Sequence, residues 1–422
     1  MPDRRYRVLV VASHPVQYMA PILRRMAVHP ALDLKVVYCR LQGAESGHDP
    51  EFGTNVQWDV PLLDGYSWSQ ARNRGSGGET FFGLLNPELR GLIRRGNFDA
   101  VLCFTGYLRA TFWIALLAAK LSKTAFLFGT DTTTLAPRDG RPWKAAVKKI
   151  FWPRLFRLAD QVIVPSSASR DVILSLGIPG ERITLAPFCV DNDWWIQQSS
   201  RVDRAATRAA WGASPNDPVI LFCAKLQPWK RPIDLLRAFA KAELSNALLV
   251  FAGEGPLRSQ LESEASALSV SSRVRFLGFV NQSQLPAVYT SADVMVLPSE
   301  YEPFAVVVNE AMCCGCPVLA SDRVGAARDL VAPVAPQFVF SCGDSDALAA
   351  VLKGALNVPE QLRLVARAGR EHIRTWSPEA NIAATVEAIR TAVTRVGRGS
   401  AAVVSDAATT SSSPAAAPKL RE

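Results

Sequence analysis

In the segment EYEPFAVVVNE at 300–310 two of the carboxylates, Glu302 and Glu310, stand on either side of an apolar run that follows Pro303. Proline fits the first turn of a helix, so a helix beginning near Pro303 is predicted. At about 1.5 Å of rise per residue it sets the two acids roughly 12 Å apart, the scale of a nucleotide sugar. The free N–H groups and positive dipole end of such a helix suit a diphosphate lying between the acids. Glu302 then meets sugar hydroxyls and Glu310 ribose hydroxyls. Two acids on their own also fit a loop acid and a solvated helix residue, and they favour that plainer reading until other groups are added.

Those groups lie upstream. The strand-like run VILFCAK at 219–225 ends in Lys225 and leads through LQPWKRP, with Lys230 and Arg231, into an amphipathic helix at about 232–243. Cations at a strand end and a helix start neutralise a phosphate pair that N–H groups alone hold weakly. DVMVLPS at 293–299 reads as a buried strand directly before Glu302, and PVLASD at 317–322 as the next strand, after Gly315 and Pro317 stop the intervening helix. Glu302 and both lysines therefore fall in loops at carboxyl ends of strands, where open α/β sheets bind ligands, with Glu310 on the helix that follows. Between them LLVFAGEGPLR at 248–258 turns at Gly253, and VRFLGFV at 274–280 closes on Gly278, Phe279 and Val280.

Taken in order, Lys225 to Lys230, AGEGPLR, FLGFV, SADVMVLPSEYEPF and the Glu302-x7-Glu310 pair followed by AMCCGCPVLASD closely resemble the donor domain of retaining glycosyltransferases of family 4, densely over about residues 215–395. The resemblance implies an α/β protein of the GT-B fold, with two Rossmann-like domains facing across a cleft and a C-terminal crossover helix. It puts Lys225 (an arginine in most members) and Lys230 on the diphosphate, Glu302 on the transferred sugar, Glu310 on the ribose, and the backbone around Phe279 and Val280 on the base. Gly253, Phe304 and Ala305 belong to the same donor-binding set. Lysine keeps the charge at 225 but loses the bidentate fork. Transfer with retention, no enzyme nucleophile, no cofactor and no required metal are further implications. A nucleotide-sugar epimerase or hydrolase, or a non-catalytic sugar-nucleotide binding protein, is the alternative on the same fold.

The first half alternates in the same manner. YRVLVVAS at 6–13, LDLKVVYC at 32–39, FDAVLCF at 98–104, TAFLFGT at 124–130 and ADQVIVPS at 159–166 read as buried parallel strands separated by helical patterns. At 422 residues the chain is large for one core. The expected division is 1–195 for the acceptor-side domain, 196–217 for a junction, 218–376 for the donor domain, 377–396 for the crossover helix and 397–422 for a low-complexity, disordered tail. SHPVQYMAPILRRMA at 13–27 places His14, Gln17 and Tyr18 after the first strand and, with HDPEFGTNVQWDVPLLDGYSW at 48–68, resembles a subset of the family with a His-Pro-x-Gln-Tyr opening. In FGTDT at 128–132, Asp131 stands near the place where many relatives have a histidine that touches the donor sugar. His14 and Asp131 are thus candidate catalytic groups, with a structural role for His14 equally open.

Basic residues outnumber acidic ones by 47 to 38, and the excess is concentrated at 138–157, where Asp139 is the single acid and Trp143, Phe151 and Trp152 are interleaved. Such a segment fits an anionic membrane surface, and equally a solvated face with its aromatics in the core. No nucleic-acid motif accompanies the charge, so nucleic acid is not expected as a partner; a nucleotide-sugar donor and a saccharide, lipid-linked or small-molecule acceptor are. Cys313, Cys314 and Cys316 lack the paired spacing of a zinc site and read as buried and reduced. No signal peptide opens the chain and TFWIALLAA at 111–119 is too short to span, so a cytoplasmic enzyme is expected, either free or peripheral at the inner face of the membrane.

Overall fold

The computed structural model describes residues 5–49, 52–136 and 141–409. In the first half the strands are β1 (Tyr6–Ala12), β2 (Leu32–Tyr38), β3 (Gly47–Asp49), β4 (Thr54–Val56), β5 (Trp68–Gln70), β6 (Ala100–Cys103), β7 (Ala125–Gly129), β8 (Gln161–Val164) and β9 (Ile183–Leu185). All but the β3–β4 hairpin form one parallel sheet in the order β5-β2-β1-β6-β7-β8-β9. The strands are continuous apolar runs because helices cover both faces: residues 8–11 of β1, for example, are wholly buried. Strand order reverses between β1 and β6, which opens a crevice at the carboxyl ends of those two strands.

The second half repeats the plan with β10 (Val219–Cys223), β11 (Leu248–Ala252), β12 (Val274–Gly278), β13 (Val294–Leu297), β14 (Val318–Ser321) and β15 (Val339–Phe340), parallel in the order β12-β11-β10-β13-β14-β15. Its reversal lies between β10 and β13. The loops that carry Lys225 and Glu302 leave these two strands, so the second crevice receives both.

The chain passes between the halves twice. Val190, Trp195 and Trp211 pack into the second core, so residues expected at the end of the first domain and in the junction belong with the donor half. Returning, the helix Pro378–Thr409 carries Ile382, Ala388, Ile389 and Ala392 into the first core and packs against β6, β7, β8, β9 and the helix Met19–Ala27. Arg395 donates to the Asp160 carbonyl at 2.7 Å, and Asn381 to that of Pro187 at 2.9 Å. Arg25 gathers Asp191, Asp193 and Glu379 at the crossing point. The helix extends beyond the 377–396 expected for it, and the rest of the tail, 410–422, lies outside the described residues.

Candidate functional site: a cleft between the two sheets

The helix carrying Glu310 starts at Val306, three residues later than the sequence reading places it. Glu302 forms a parallel bridge with Val324, the Glu302 and Phe304 carbonyls accept from Gly325 and Ala326, and a side chain at Gly325 would collide with the Pro303 carbonyl at 2.0 Å. This pairing keeps 302–304 extended, and Ala305 then turns the chain with φ +84°. Tertiary pairing overrides the preference of Pro303 for a first turn, so helical rise does not set the Glu302–Glu310 separation.

A cleft of about 940 Å³ lies between the two halves. It is lined from the second half by Lys225, Lys230, Gly253, Phe279, Val280, Glu302, Ala305 and Glu310, and from the first by His14, Gln17, Tyr18, Arg40 and Asp49. Most of the residues named from the sequence therefore converge. Lys230 donates to the Glu302 carboxylate, both side chains being largely buried. Arg231, by contrast, turns away to Asp234 and Glu300. Gly253 has φ +146° and passes so close to the strand end that a Cβ there would sit 2.0 Å from the Ala224 carbonyl oxygen. Only glycine allows the two loops to share the cleft floor.

Two named residues sit elsewhere. Phe304 packs in the core between Phe188 at 5.1 Å and Trp376 at 5.5 Å, anchoring the loop rather than lining the cleft. Asp131 is exposed beyond β7 and does not line the cleft; its charge is felt at Tyr18, whose hydroxyl burial and Asp131 together push up to about 12. His14 does line the cleft. Burial, aided by the charge of Arg40, pushes it down to about 4, so the imidazole is neutral near pH 7, with Nδ1 2.9 Å from Ser13 Oγ.

Glu310 faces inward, 6% exposed, and accepts from the Tyr289 hydroxyl at 2.8 Å. Burial raises its carboxyl to about 7 from an ordinary 4.5, although the Tyr289 bond pulls it back. The folded chain thus holds this proton more tightly than the unfolded chain. The resulting stability is fully present below about 4.5 and lost as pH rises through about 7. Only the ionised carboxylate is a pure acceptor for two hydroxyls. Affinity for a nucleotide sugar, whose own phosphates do not titrate there, is expected to rise as pH passes through about 7. Calorimetry should find this dependence flattened in Glu310→Gln; an equally steep rise in the variant would assign it to another group.

Several cleft residues were not anticipated. The β3–β4 hairpin reaches across from the first half: the Asp49 carboxylate lies 3.2 Å from the Lys225 ammonium, which also sits 4.5 Å from the centre of the Phe52 ring. Phe52 and Trp58 meet Phe279 at 5.0 and 6.0 Å, and Asp59 is hydrogen-bonded to Ser283. The amide oxygen of Gln282, buried beside Phe279, has no hydrogen-bond partner. Asp49 thus pairs with Lys225 at the cleft wall, in competition with any anion that enters. Asp49→Asn removes the competing charge but keeps an acceptor for the Phe52 amide, which Asp49 Oδ1 takes at 3.1 Å. A several-fold gain in nucleoside diphosphate affinity is expected by calorimetry; weaker binding would show that Asp49 supports the site rather than competes for it.

Among the described residues no group of three or more His, Cys, Asp or Glu is placed to hold a metal, and no helix is long and apolar enough to cross a membrane. Cys313, Cys314 and Cys316 are buried thiols raised well out of the reactive range by burial.

Two family models match the chain: one described as glycosyl transferases group 1 over residues 203–372, and one described as glycosyltransferase family 4 over 44–194. A D-inositol 3-phosphate glycosyltransferase of Mycobacterium marinum is 35% identical over 202 residues, covering 45% of this chain and 42% of that protein. The chain spans less than half the length of the curated relatives it matches. Among solved structures, a glycosyltransferase of Rickettsia africae superposes with a TM-score of 0.71 at 15% identity, over 92% of this chain and 99% of that one. HepE of Anabaena, in complex with UDP and glucose, does so with 0.67 at 19% identity, over 95% and 100%. At these identities the structural likeness speaks for the fold. Two parallel α/β domains facing across a cleft, each half matched by its own family model, make this chain a member of the GT-B glycosyltransferases of group 1 and family 4.

Proposed function

We propose that the chain transfers a sugar from a nucleoside diphosphate sugar to an acceptor hydroxyl with retention of configuration. The observation that carries this reading is the convergence of Lys225, Lys230, Glu302 and Glu310 at the strand-order reversal of the second sheet, across the cleft from His14. HepE of Anabaena, similar in fold, is in complex with UDP and glucose, which is consistent with a donor of this class.

In this reading Lys225 and Lys230 bind the diphosphate, with no metal required. The bond from the anomeric carbon to the phosphate oxygen breaks, and the negative charge left on the diphosphate is stabilised by two ammonium groups already in place. The acceptor oxygen bonds to the anomeric carbon on the same face, and its proton passes to the leaving phosphate oxygen. Glu302 positions the sugar and leaves Lys230 to the phosphate once donor is bound; Glu310 takes the ribose hydroxyls. Phe279, Phe52 and Trp58 supply faces for the base, and Gln282 a polar group. A thermal-shift screen of nucleoside diphosphate sugars tests the donor class. A ligand at 100 times its dissociation constant adds about 2.7 kcal/mol to stability, and no shift with any of them would overturn the reading. Sugar turnover that depends on acceptor extracts separates a transferase from a hydrolase or epimerase.

The acceptor side is assigned to the first half, working at an anionic membrane surface. In the helix Pro142–Leu158, Trp152, Leu155 and Phe156 are buried while Trp143, Val147, Ile150 and Phe151 are exposed beside Lys144, Lys148 and Lys149. Arg138 and Asp139 lie outside the described residues. Co-sedimentation with anionic but not neutral vesicles is expected, reversed by salt because screening acts within about 8 Å at physiological ionic strength. Reversing Lys144, Lys148 and Lys149 to glutamate should abolish it and leave donor binding intact. Equal sedimentation with both vesicle types, or with neither, would return the helix to a solvated role.

A further inference from the structure

A second cavity, of about 360 Å³, opens beside the main cleft at the strand-order reversal of the first sheet. Its walls come from the segments that follow three strands: Ser13 and His14 after β1, Arg40 after β2, and Thr105 to Arg109 after β6. Loop residues Gly78 and Glu79 close it, and these two with His14 and Arg40 also line the main cleft, so the two spaces are continuous.

The chemistry of the lining is cationic. Arg40 and Arg109 both approach the Glu79 carboxylate, Arg40 at 3.9 Å, while Glu79 itself is 82% exposed. An exposed surface carboxylate held by two arginines is worth little as an ion pair and is readily exchanged for another anion. His14 faces the same space, neutral near pH 7, and Asp49 contributes a distant negative charge to it. Tyr107 is engaged by Trp152, whose indole N–H donates to its hydroxyl at 2.9 Å. Two buried polar atoms of the lining residues are left over. Arg40 Nε has no hydrogen-bond partner, and Thr105 Oγ1 has none beyond the weak thiols of Cys39 and Cys103. Both atoms are closed off from the open cavity, so the groups that face an entering anion are the terminal guanidinium nitrogens of Arg40 and Arg109.

Building on the transferase reading above, we propose that this cavity binds the acceptor through an anionic group, phosphate or carboxylate, which displaces Glu79 from Arg40 and Arg109. The attacking hydroxyl then lies past His14, toward the main cleft. A planar guanidinium pair suits either anion by bidentate contact.

Gly106 offers a direct test, because it lines the cavity, a Cβ there meets nothing within 4 Å and Gly106 has no left-handed φ; Gly106→Val narrows the cavity without disturbing its walls. The main cleft is first saturated with uridine diphosphate, and glucose 1-phosphate, glucuronate and methyl glucoside are then titrated by calorimetry. At least one charged probe is expected to bind tenfold or more tighter than the neutral glucoside. Glu79→Gln should tighten it several-fold, Arg109→Gln weaken it tenfold or more, and Gly106→Val abolish it with uridine diphosphate affinity unchanged. Preference for the phosphate or for the carboxylate names the source of the anion. Equal binding of the neutral glucoside, no binding by any probe, or binding unaffected by Gly106→Val would overturn the proposal. Failure of the transferase reading registers separately, as wild-type protein that binds no nucleotide sugar in the main cleft while the charged probe still binds here.

Discussion

Replacing Lys230 with alanine is expected to lower kcat/KM for the donor by about 100-fold or more and to weaken nucleoside diphosphate binding along with it. In the proposed reaction its ammonium group is already in place and faces the charge that builds on the leaving diphosphate; removing one such group from a partly desolvated site costs about 10²–10³ in rate. The variant also leaves Glu302, a largely buried carboxylate, without its ammonium partner. Two like charges, Glu302 and the diphosphate, would then face one another with one cation fewer between them. Calorimetry with a nucleoside diphosphate isolates the binding part. Unchanged affinity there would remove Lys230 from the diphosphate site.

Glu302 and Glu310 should separate in kinetics as they do in environment. Glu302→Ala is expected to lower kcat by 10²-fold or so, because the sugar contact lies next to the reacting carbon and strengthens as the bond breaks. Glu310→Gln is expected to raise the donor KM with kcat nearly unchanged, since a ribose contact is equal in ground and transition states. Glutamine is the informative replacement at 310. Alanine would leave the fully buried Tyr289 hydroxyl with only the weak Cys223 thiol, 3.3 Å away, and an under-satisfied buried donor costs about 1–3 kcal/mol of stability on its own account. The same kinetic signature in both variants would undo this division of roles.

The donor half was legible in the sequence because its functional groups sit at the ends of unbroken apolar runs, where parallel strands covered on both faces must be. Lys225, Lys230 and Glu302 were singled out by that placement together with the order of the motifs around them and the family they resemble. The burial of Glu310 was not anticipated, although Val306 to Cys313 is apolar nearly all round, the pattern of an enclosed helix. What sequence could not give were contacts set by pairing between distant segments. The helix start moved from Pro303 to Val306 because residues 302–304 pair with 324–326. Asp49 reaches Lys225 across 176 residues of chain, from a hairpin of three-residue strands too short to carry a periodic signal. Phe304 looked like part of the donor set by position, and only its packing between Phe188 and Trp376 reveals an anchoring role. His14 was named, yet the cavity behind it depends on loops after three separate strands coming together.

The return of the helix Pro378–Thr409 to the first sheet bears on how the protein is made. Ile382, Ala388, Ile389 and Ala392 cover one face of strands that leave the ribosome long before them. At about 5–20 residues per second, the first sheet waits roughly 10–40 s with that apolar face open while the donor half is synthesised. The first domain is therefore the last to be finished, and the nascent chain offers holding chaperones a defined target until its final helix arrives.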